Sequence, residues 1–224
     1  MKTYPFGSGR PDPASFPARA LADAAARVVP ELGAELAVYP GSLGYEPMRK
    51  VMADRFERRE GVALSVERTA LTTGSMQAVT LMAQYFIEKP GDVVLMEEFT
   101  YSGTIGAYNK EGAKLVGVAI DEHGMKMDSL VEKIEACTKE GNKPKFIYAL
   151  VTYQNPTGST MPTSRRVQII EICHRHEIPI LEDDCYVDLR FDGEAQEAFA
   201  SLDTTGMVMH VASYSKLLVP GLRL

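Results

Sequence analysis

A lysine and an arginine late in the sequence have neighbours that suit chemistry on a small molecule. Lys216 follows Ser213 and Ser215 and comes shortly after the apolar run 207–212, which predicts a buried strand. Beyond the end of such a strand, burial favours the neutral, nucleophilic form of an amine. Arg223 follows a Pro-Gly turn and keeps its charge, which suits it to binding an anion. A single lysine of this kind is usually an ordinary loop residue, so its interpretation depends on the residues before it.

The elements that must position these residues alternate between strand and helix from Arg68 onward. Apolar runs predict strands at 70–72, 93–96, 115–120, 146–150, 178–183 and 208–212. Helical patterns follow at 74–87, 100–111, 129–137 and 163–176, and two more precede the first strand at 16–29 and 46–60. This order predicts an α/β fold, a three-layer sandwich whose mainly parallel sheet has helices on both faces. Ligands of such sheets bind beyond the carboxyl ends of the strands.

Two of these strand ends carry groups that suit a flat, phosphorylated ligand. Gly74 and Ser75 open a helix, where free N–H groups, the helix dipole and a hydroxyl could hold a phosphate. A plain helix cap is the alternative, since serine is a preferred capping residue. Tyr101 follows the next strand and could stack on an aromatic ligand, or it could be a partly buried tyrosine at a helix start.

Two further strand ends carry an amide and a row of carboxylates. Asn155 begins the turn Asn-Pro-Thr-Gly, and its side chain could donate to a ligand oxygen, although most such turns only reverse the chain. Glu182, Asp183 and Asp184 repel one another, so at least one of them should have a cationic partner. Magnesium would suit these oxygens, but no phosphate-loop lysine motif precedes them, so we predict no metal site.

Composition limits the classes of function. A chain of 224 residues can bury one sizeable core, or a large domain with a small appendage. The net charge of −6, the pI near 5.3 and the lack of a basic stripe argue against nucleic-acid binding. Cys137, Cys173 and Cys185 show no paired spacing, and no apolar run is long enough for a signal peptide or a membrane span. We therefore expect a cytoplasmic protein.

Four segments together resemble the class I/II aminotransferases, fold-type I enzymes that use pyridoxal 5′-phosphate (PLP), and particularly their kynurenine/2-aminoadipate-type branch. The segments are Gly9-Arg10-Pro11-Asp12-Pro13 with Phe16-Pro17, Asn155-Pro156-Thr157-Gly158, Glu182-Asp183-Asp184 with Tyr186, and Ser213-Tyr214-Ser215-Lys216 with Pro220-Gly221-Leu222-Arg223. The matching stretch runs from near residue 6 to the last residue. Each motif alone is weak, but four in the family's order, nearly all following strands, are specific.

The resemblance implies a role for each matching residue. Lys216 would form a Schiff base with PLP and move the proton between the amino acid and the cofactor. Asp183 would pair with the ring nitrogen and keep it protonated, which makes the ring an electron sink. Tyr186 and Asn155 would hydrogen-bond the ring hydroxyl oxygen, and Tyr101 would stack on the ring. The phosphate would be held by Ser75, the Met76 backbone, Ser213 and Arg223.

Two roles concern the substrate and the neighbouring subunit. Gly9, with Asn155, would lie near the substrate carboxylate, and Tyr39 would reach the phosphate bound by the other subunit of a homodimer. The family often has Gln where Met76 stands, so only a backbone contact is expected there. The implied substrates are a 2-amino acid and a 2-oxo acid.

The resemblance also implies a domain organisation. Residues 1–60 would contribute to a small domain and to dimer contacts, and 61–224 would form a PLP-binding large domain that is incomplete at its C-terminus. The family pattern continues with an internal antiparallel strand, the rest of the small domain and an arginine that binds the substrate's α-carboxylate. A sheet without that strand exposes unpaired edges, so we expect the chain alone to be poorly stable or dependent on a partner.

Other functions remain open at this point. The same cofactor site supports a β-lyase or a decarboxylase. A PLP-binding sensor of the transcription-regulator type is disfavoured, because the family pattern begins by residue 6 with no basic helix-turn-helix ahead of it. An inactive or partner-dependent fragment is the remaining alternative.

Overall fold

The computed structural model describes Gly9 and residues 11–223, which form two compact units. Unit 1 is the described part of Met1–Thr72 together with that of Tyr214–Leu224, and unit 2 is Thr73–Ser213. In the part of the chain that the structure describes, no helix has the length and apolar character needed to cross a membrane. The domain boundary expected at residues 60/61 stays a prediction.

Unit 2 contains a five-stranded parallel sheet in the order β2-β1-β5-β6-β7. Its strands are β1 (Val93–Glu97), β2 (Lys114–Val118), β5 (Phe146–Ala149), β6 (Ile180–Asp183) and β7 (Val208–Val211). β1, β5 and β6 are buried along their whole length, as expected for central strands covered on both faces. The predicted mainly parallel α/β sheet is confirmed.

Successive residues of a strand point to opposite sides of the sheet, and both sides of this sheet carry apolar residues. Helices therefore cover both of its faces. On one face, Val93 and Leu95 pack in a cluster with residues of α5 (Met127–Lys139), α6 (Thr163–His176) and α7 (Phe199–Leu202). On the other face, Val94 and Met96 pack with residues of α3 (Ser75–Phe86) and α4 (Ser102–Lys110). Two cores therefore fix the sheet from both sides.

Two predicted strands differ from the structure. The segment 70–72 is not a strand, so that prediction is wrong: its Leu71 N–H donates to Leu43 O of a loop at 2.9 Å, and a single bond forms no ladder. The strand predicted at 115–120 leaves the sheet after Val118. The next residues form a two-stranded antiparallel hairpin, β3 (Ile120–Asp121) with β4 (Gly124–Met125).

Unit 1 contains two α-helices and several short 3₁₀ turns. α1 (Ala18–Leu32) runs three residues beyond the predicted end at Val29, and α2 (Glu46–Glu60) has its predicted bounds. α2 ends where Gly61 takes a left-handed conformation with φ of 73°, a favoured helix stop. Arg49 of α2 donates to Val66 O at 2.6 Å and to Gly44 O at 3.1 Å, which ties the loops on either side to the helix.

Candidate functional site

The carboxylate of Asp183, at the carboxyl end of β6, is the centre of a buried hydrogen-bonded group in unit 2. Its side chain lies on the same face of the sheet as Tyr148 of β5, and the residue is 4% exposed. The Tyr148 hydroxyl donates to Oδ2 at 2.7 Å, and the Cys185 thiol donates to Oδ1 at 2.8 Å. The Thr104 hydroxyl of α4 donates to the Tyr148 oxygen at 3.1 Å. A carboxylate is thus held in a dry site by donors from two segments.

Asp183, Tyr148 and Cys185 shift one another's pKa values. Burial raises the pKa of Asp183, and the hydrogen bonds from Cys185 and Tyr148 oppose that rise because they stabilise the carboxylate. Burial, and then the Asp183 charge, raise the pKa of both Tyr148 and Cys185. The tyrosine and the thiol therefore remain protonated donors at neutral pH.

Asn155 and Tyr186 meet beside this group. The Asn155 amide donates to the Tyr186 hydroxyl at 3.4 Å, and the peptide bond from Asn155 to Pro156 is cis. Burial raises the pKa of Tyr186, and the Asp183 and Tyr101 groups add to that rise through their charges, which places both near it. Tyr101, the residue preceding α4, is 38% exposed, and its ring lies so close to Gly103 that a Cβ there would clash with it.

The N-terminus of α3 brings Ser75 to the same group. Gly74 precedes the helix with φ of 74° and ψ of 162°, a conformation open to glycine because it lacks a Cβ. Ser75 is the first helical residue, and its side chain partly offsets the rise in the pKa of Cys185, which places the two side chains near each other. Met76 follows and packs against the core cluster of that face. Free N–H groups of a helix N-terminus thus lie in the same unit as the buried carboxylate.

One of the adjacent carboxylates of β6, Glu182, has basic neighbours, as the sequence predicted for at least one of them. Glu182 Oε1 lies 3.8 Å from the buried guanidinium of Arg166, and its Oε2 lies 2.9 Å from His210 Nδ1 of β7. Burial would raise the pKa of Glu182, but His210 and Arg166 outweigh it and lower that pKa. Ser213 comes just after β7 and is buried. Among the described residues, no group of three or more His, Cys, Asp or Glu side chains could hold a metal ion.

Sequence reasoning missed four residues that support the group. Tyr148 lies inside a strand, and only the sheet register brings it to Asp183, whereas Cys185 is two residues further along the sequence and could have been singled out. Buried Glu97 accepts from the Leu150 N–H at 3.2 Å. Gln154 donates to Phe99 O at 2.5 Å and accepts from the Thr157 N–H at 2.9 Å, so it fixes the turn that carries Asn155.

The remaining predicted residues lie in unit 1. Lys216 is in a turn and is half-buried, and its Nζ donates to Gly9 O at 2.6 Å. A Cβ added to Gly9 would lie 3.2 Å from that nitrogen. Arg223 is exposed, with φ of 57° and its guanidinium 3.1 Å from Pro220 O. Tyr39 is 97% exposed.

Comparisons with known proteins agree on one family. The family model described as aminotransferase class I and II matches residues 3–224. The aromatic-amino-acid aminotransferase 1 of Thermococcus litoralis is 32% identical over 98% of this chain and 52% of its own length. The 2-aminoadipate transaminase of Thermus thermophilus is 33% identical over 97% of this chain and 53% of its own length.

A solved structure shows the same fold. It is the α-aminoadipate aminotransferase LysN from Thermus thermophilus, complexed with N-(5′-phosphopyridoxyl)-L-leucine. It matches with a TM-score of 0.85 and 32% identity over 97% of this chain and 54% of that one. The chain thus spans about half the length of the curated relatives that it matches.

Proposed function

The chain belongs to the class I and II aminotransferase family, and from that premise we propose that its protein transfers an amino group between a 2-amino acid and a 2-oxo acid with PLP as cofactor. The observation that carries the proposal is the buried Asp183 carboxylate held beside Tyr186, Asn155 and the N-terminus of α3. These groups have the three chemical characters that PLP requires: an anion for a ring N–H, donors for a phenolic oxygen, and N–H groups for a phosphate.

The residues of unit 2 fit the cofactor on structural grounds. Asp183 already accepts two hydrogen bonds, yet a carboxylate has about four lone-pair positions and can accept a third from a ring nitrogen. Asn155 and Tyr186 present an amide and a hydroxyl within 3.4 Å of each other. Ser75 adds a hydroxyl to the free N–H groups of α3. PLP supplies an electron sink when bound.

Each residue then has a defined task. Asp183 would hold a proton on the ring nitrogen, Asn155 and Tyr186 would donate to the ring oxygen, and Tyr101 would stack on the ring. The phosphate would be held by Ser75, the Met76 N–H, Ser213 and Arg223. Lys216 Nζ would supply the amine that accepts and returns the substrate proton, and Gly9 would lie near the substrate carboxylate. A Cβ added to Gly9 would lie 3.2 Å from Nζ, so a larger residue there would crowd the amine.

We also propose that the protein is a homodimer, with Tyr39 reaching the phosphate of the partner. Its 97% exposure in the single chain is compatible with a contact made to a second copy. Cys137, Cys173 and Cys185 are all free thiols, which supports a reducing compartment such as the cytoplasm.

The test is a visible absorbance spectrum after PLP is added and excess cofactor is removed, with Lys216→Ala as the control. We expect a band beyond the protein's own ultraviolet absorbance that shifts when a 2-amino acid is added and that is lost in Lys216→Ala. A wild-type protein without a band, or a band that Lys216→Ala retains, contradicts the proposed role of Lys216.

A further inference from the structure

Both oxygens of the Asp183 carboxylate accept hydrogen bonds from residues outside the four segments that carry the family resemblance. The Tyr148 hydroxyl is 2.7 Å from Oδ2, and the Cys185 sulfur is 2.8 Å from Oδ1. The donors come from different places, since Tyr148 lies in the strand β5 and Cys185 in the loop after β6. A carboxylate bound at both oxygens by separate segments cannot rotate about its terminal bond without breaking one of the two bonds.

The direction of the tyrosine bond is fixed by a third group. The Thr104 hydroxyl donates to the Tyr148 oxygen at 3.1 Å, so the single proton of Tyr148 is directed to Asp183. All three residues are buried, and a chain of hydrogen bonds in a dry interior strengthens each member. Tyr148 is therefore a committed donor to the carboxylate.

The thiol is a committed donor as well. Burial, followed by the negative charge of Asp183, raises the pKa of Cys185 well above that of a free thiol. A thiol in this environment is a poor nucleophile and remains protonated. Ser75 at the start of α3 partly offsets that rise in the pKa of Cys185, which places the thiol near the predicted phosphate site as well as the carboxylate.

We propose that Tyr148 and Cys185 are positioning residues that hold the Asp183 carboxylate as an oriented anion for pairing with the protonated ring nitrogen of the cofactor. The inference rests on the proposed function, because the pairing partner is the cofactor. It deepens that function because it assigns a role to two side chains that bond Asp183 and not the cofactor. Tyr148 and Cys185 would determine how strongly Asp183 pairs with the ring nitrogen.

The structure offers a matched control for the tyrosine. Tyr108 is also fully buried, and its ring packs edge-on against Tyr148 with centroids 5.8 Å apart. Among the described residues, its hydroxyl has no hydrogen-bond partner. Tyr108→Phe and Tyr148→Phe therefore remove the same atom from the same core, and only the second removes a bond to Asp183.

The experiment measures dissociation constants by equilibrium dialysis for pyridoxamine 5′-phosphate and for an analogue with carbon in place of the ring nitrogen. We expect Tyr148→Phe and Cys185→Ala to weaken binding of the first ligand about tenfold, the usual effect of losing one hydrogen bond to a charge. Binding of the carbon analogue should change less than about twofold. Cys185→Ser should restore most of the loss because serine keeps a donor, and Tyr108→Phe should have no effect on either ligand.

A second readout needs no cofactor. Alkylation of Cys185 by iodoacetamide, followed by mass spectrometry, should be faster in Asp183→Asn than in the wild type, because the neighbouring charge no longer disfavours the thiolate. Equal rates would overturn the assignment of the thiol.

The outcomes separate two kinds of failure. A wild-type protein that does not bind pyridoxamine 5′-phosphate contradicts the proposed function and the inference together. If the wild type binds and Asp183→Asn weakens binding, while Tyr148→Phe and Cys185→Ala do not, only the inference is overturned. Equal losses for both ligands would assign the two residues a general structural role and would also overturn it.

Discussion

Glu97 is a carboxyl group that carries a proton in the folded protein. It is 1% exposed at the end of β1, and burial raises its pKa to about 8, with the nearby Asp183 charge adding to the rise. The Leu150 N–H and the Gln154 amide donate to its Oε2 and only partly offset the burial. A neutral carboxyl group here avoids placing a second anion beside Asp183, which must itself stay ionised to serve a ring nitrogen.

This arrangement predicts that Glu97→Gln stabilises the protein in a pH-dependent way. The folded pKa of about 8 lies above the unfolded value of about 4.3, so folding takes up a proton between these values and the stability of the wild type falls as pH rises. Glutamine removes that penalty. We expect its gain in unfolding free energy, measured with urea, to be small near pH 4 and to exceed about 1.4 kcal/mol at pH 8.

The control is Glu135→Gln, at an exposed position of α5. Its effect on the free energy of unfolding should stay within about 0.5 kcal/mol in the same experiment. A gain for Glu97→Gln that is equal at both ends of the pH range would contradict a protonated Glu97.

At the scale of elements, Arg166 of α6 joins several segments of unit 2 through hydrogen bonds to their carbonyl oxygens. It is 1% exposed on α6, and its guanidinium donates to Met161 O at 2.9 Å, Glu197 O at 3.0 Å and Val151 O at 3.2 Å. It also lies 3.8 Å from Glu182 of β6, whose oxygens accept from the Phe199 and Ala200 N–H groups of α7. Arg166 thus ties α6 to the loop after β5 and, through Glu182, to α7.

Loss of Arg166 should be severely destabilising. Arg166→Met leaves Glu182 with less positive charge in a dry site and removes a donor from three carbonyl oxygens, of which Val151 O keeps the Met161 N–H. We expect a loss of about 3–5 kcal/mol in the free energy of unfolding by urea denaturation. Arg166→Lys should rescue little of it, because one ammonium group cannot reach the three carbonyl oxygens together.

Arg175→Met is the matched control, because Arg175 is exposed in the last turn of the same helix. Its effect should stay within about 0.5 kcal/mol. A comparable loss in both variants would show that removal of a positive charge from α6, rather than the buried contacts, determines the stability.

The predictable parts of the fold were those with local signals. The apolar runs at 93–96 and 146–150 predict strands because central parallel strands are buried on both faces, and the helical pattern of 46–60 predicts α2. The segment 70–72 looks like a strand locally, but a strand exists only if a neighbour pairs with it, and that information is not local.

The same limit applies to the site. Asp183, Asn155 and Tyr186 were predicted because they follow strands in motif order, and the structure places them in one group, although their roles remain proposals. Tyr148 could not be found, because its contact with Asp183 depends on the register of β5 against β6. Gln154 precedes Asn155 directly, yet nothing in the sequence shows that its amide bridges two loops.

At the scale of the whole molecule, the two units differ in how much apolar surface they bury. Unit 2 has a core on each face of its sheet. In unit 1, the described structure shows no buried residue in α1, and apolar side chains near its end and after it are largely open: Val29 is 53% exposed, Leu36 57% and Val38 70%. Large apolar side chains exposed together in one stretch of a folded chain are typical of an interaction surface.

We expect this stretch to form part of the homodimer proposed above, and Val29→Glu combined with Leu36→Glu should disrupt it. A charge placed in an apolar interface must lose its hydration without gaining a partner, so the dissociation constant should rise at least about a hundredfold. Sedimentation velocity over a range of protein concentrations measures this directly. The control is Val167→Glu, a singly exposed apolar position of α6 in unit 2, which should leave the wild-type association unchanged. A wild-type protein that stays monomeric at every concentration, or a double variant that associates as the wild type does, would show that the exposed stretch serves some other contact.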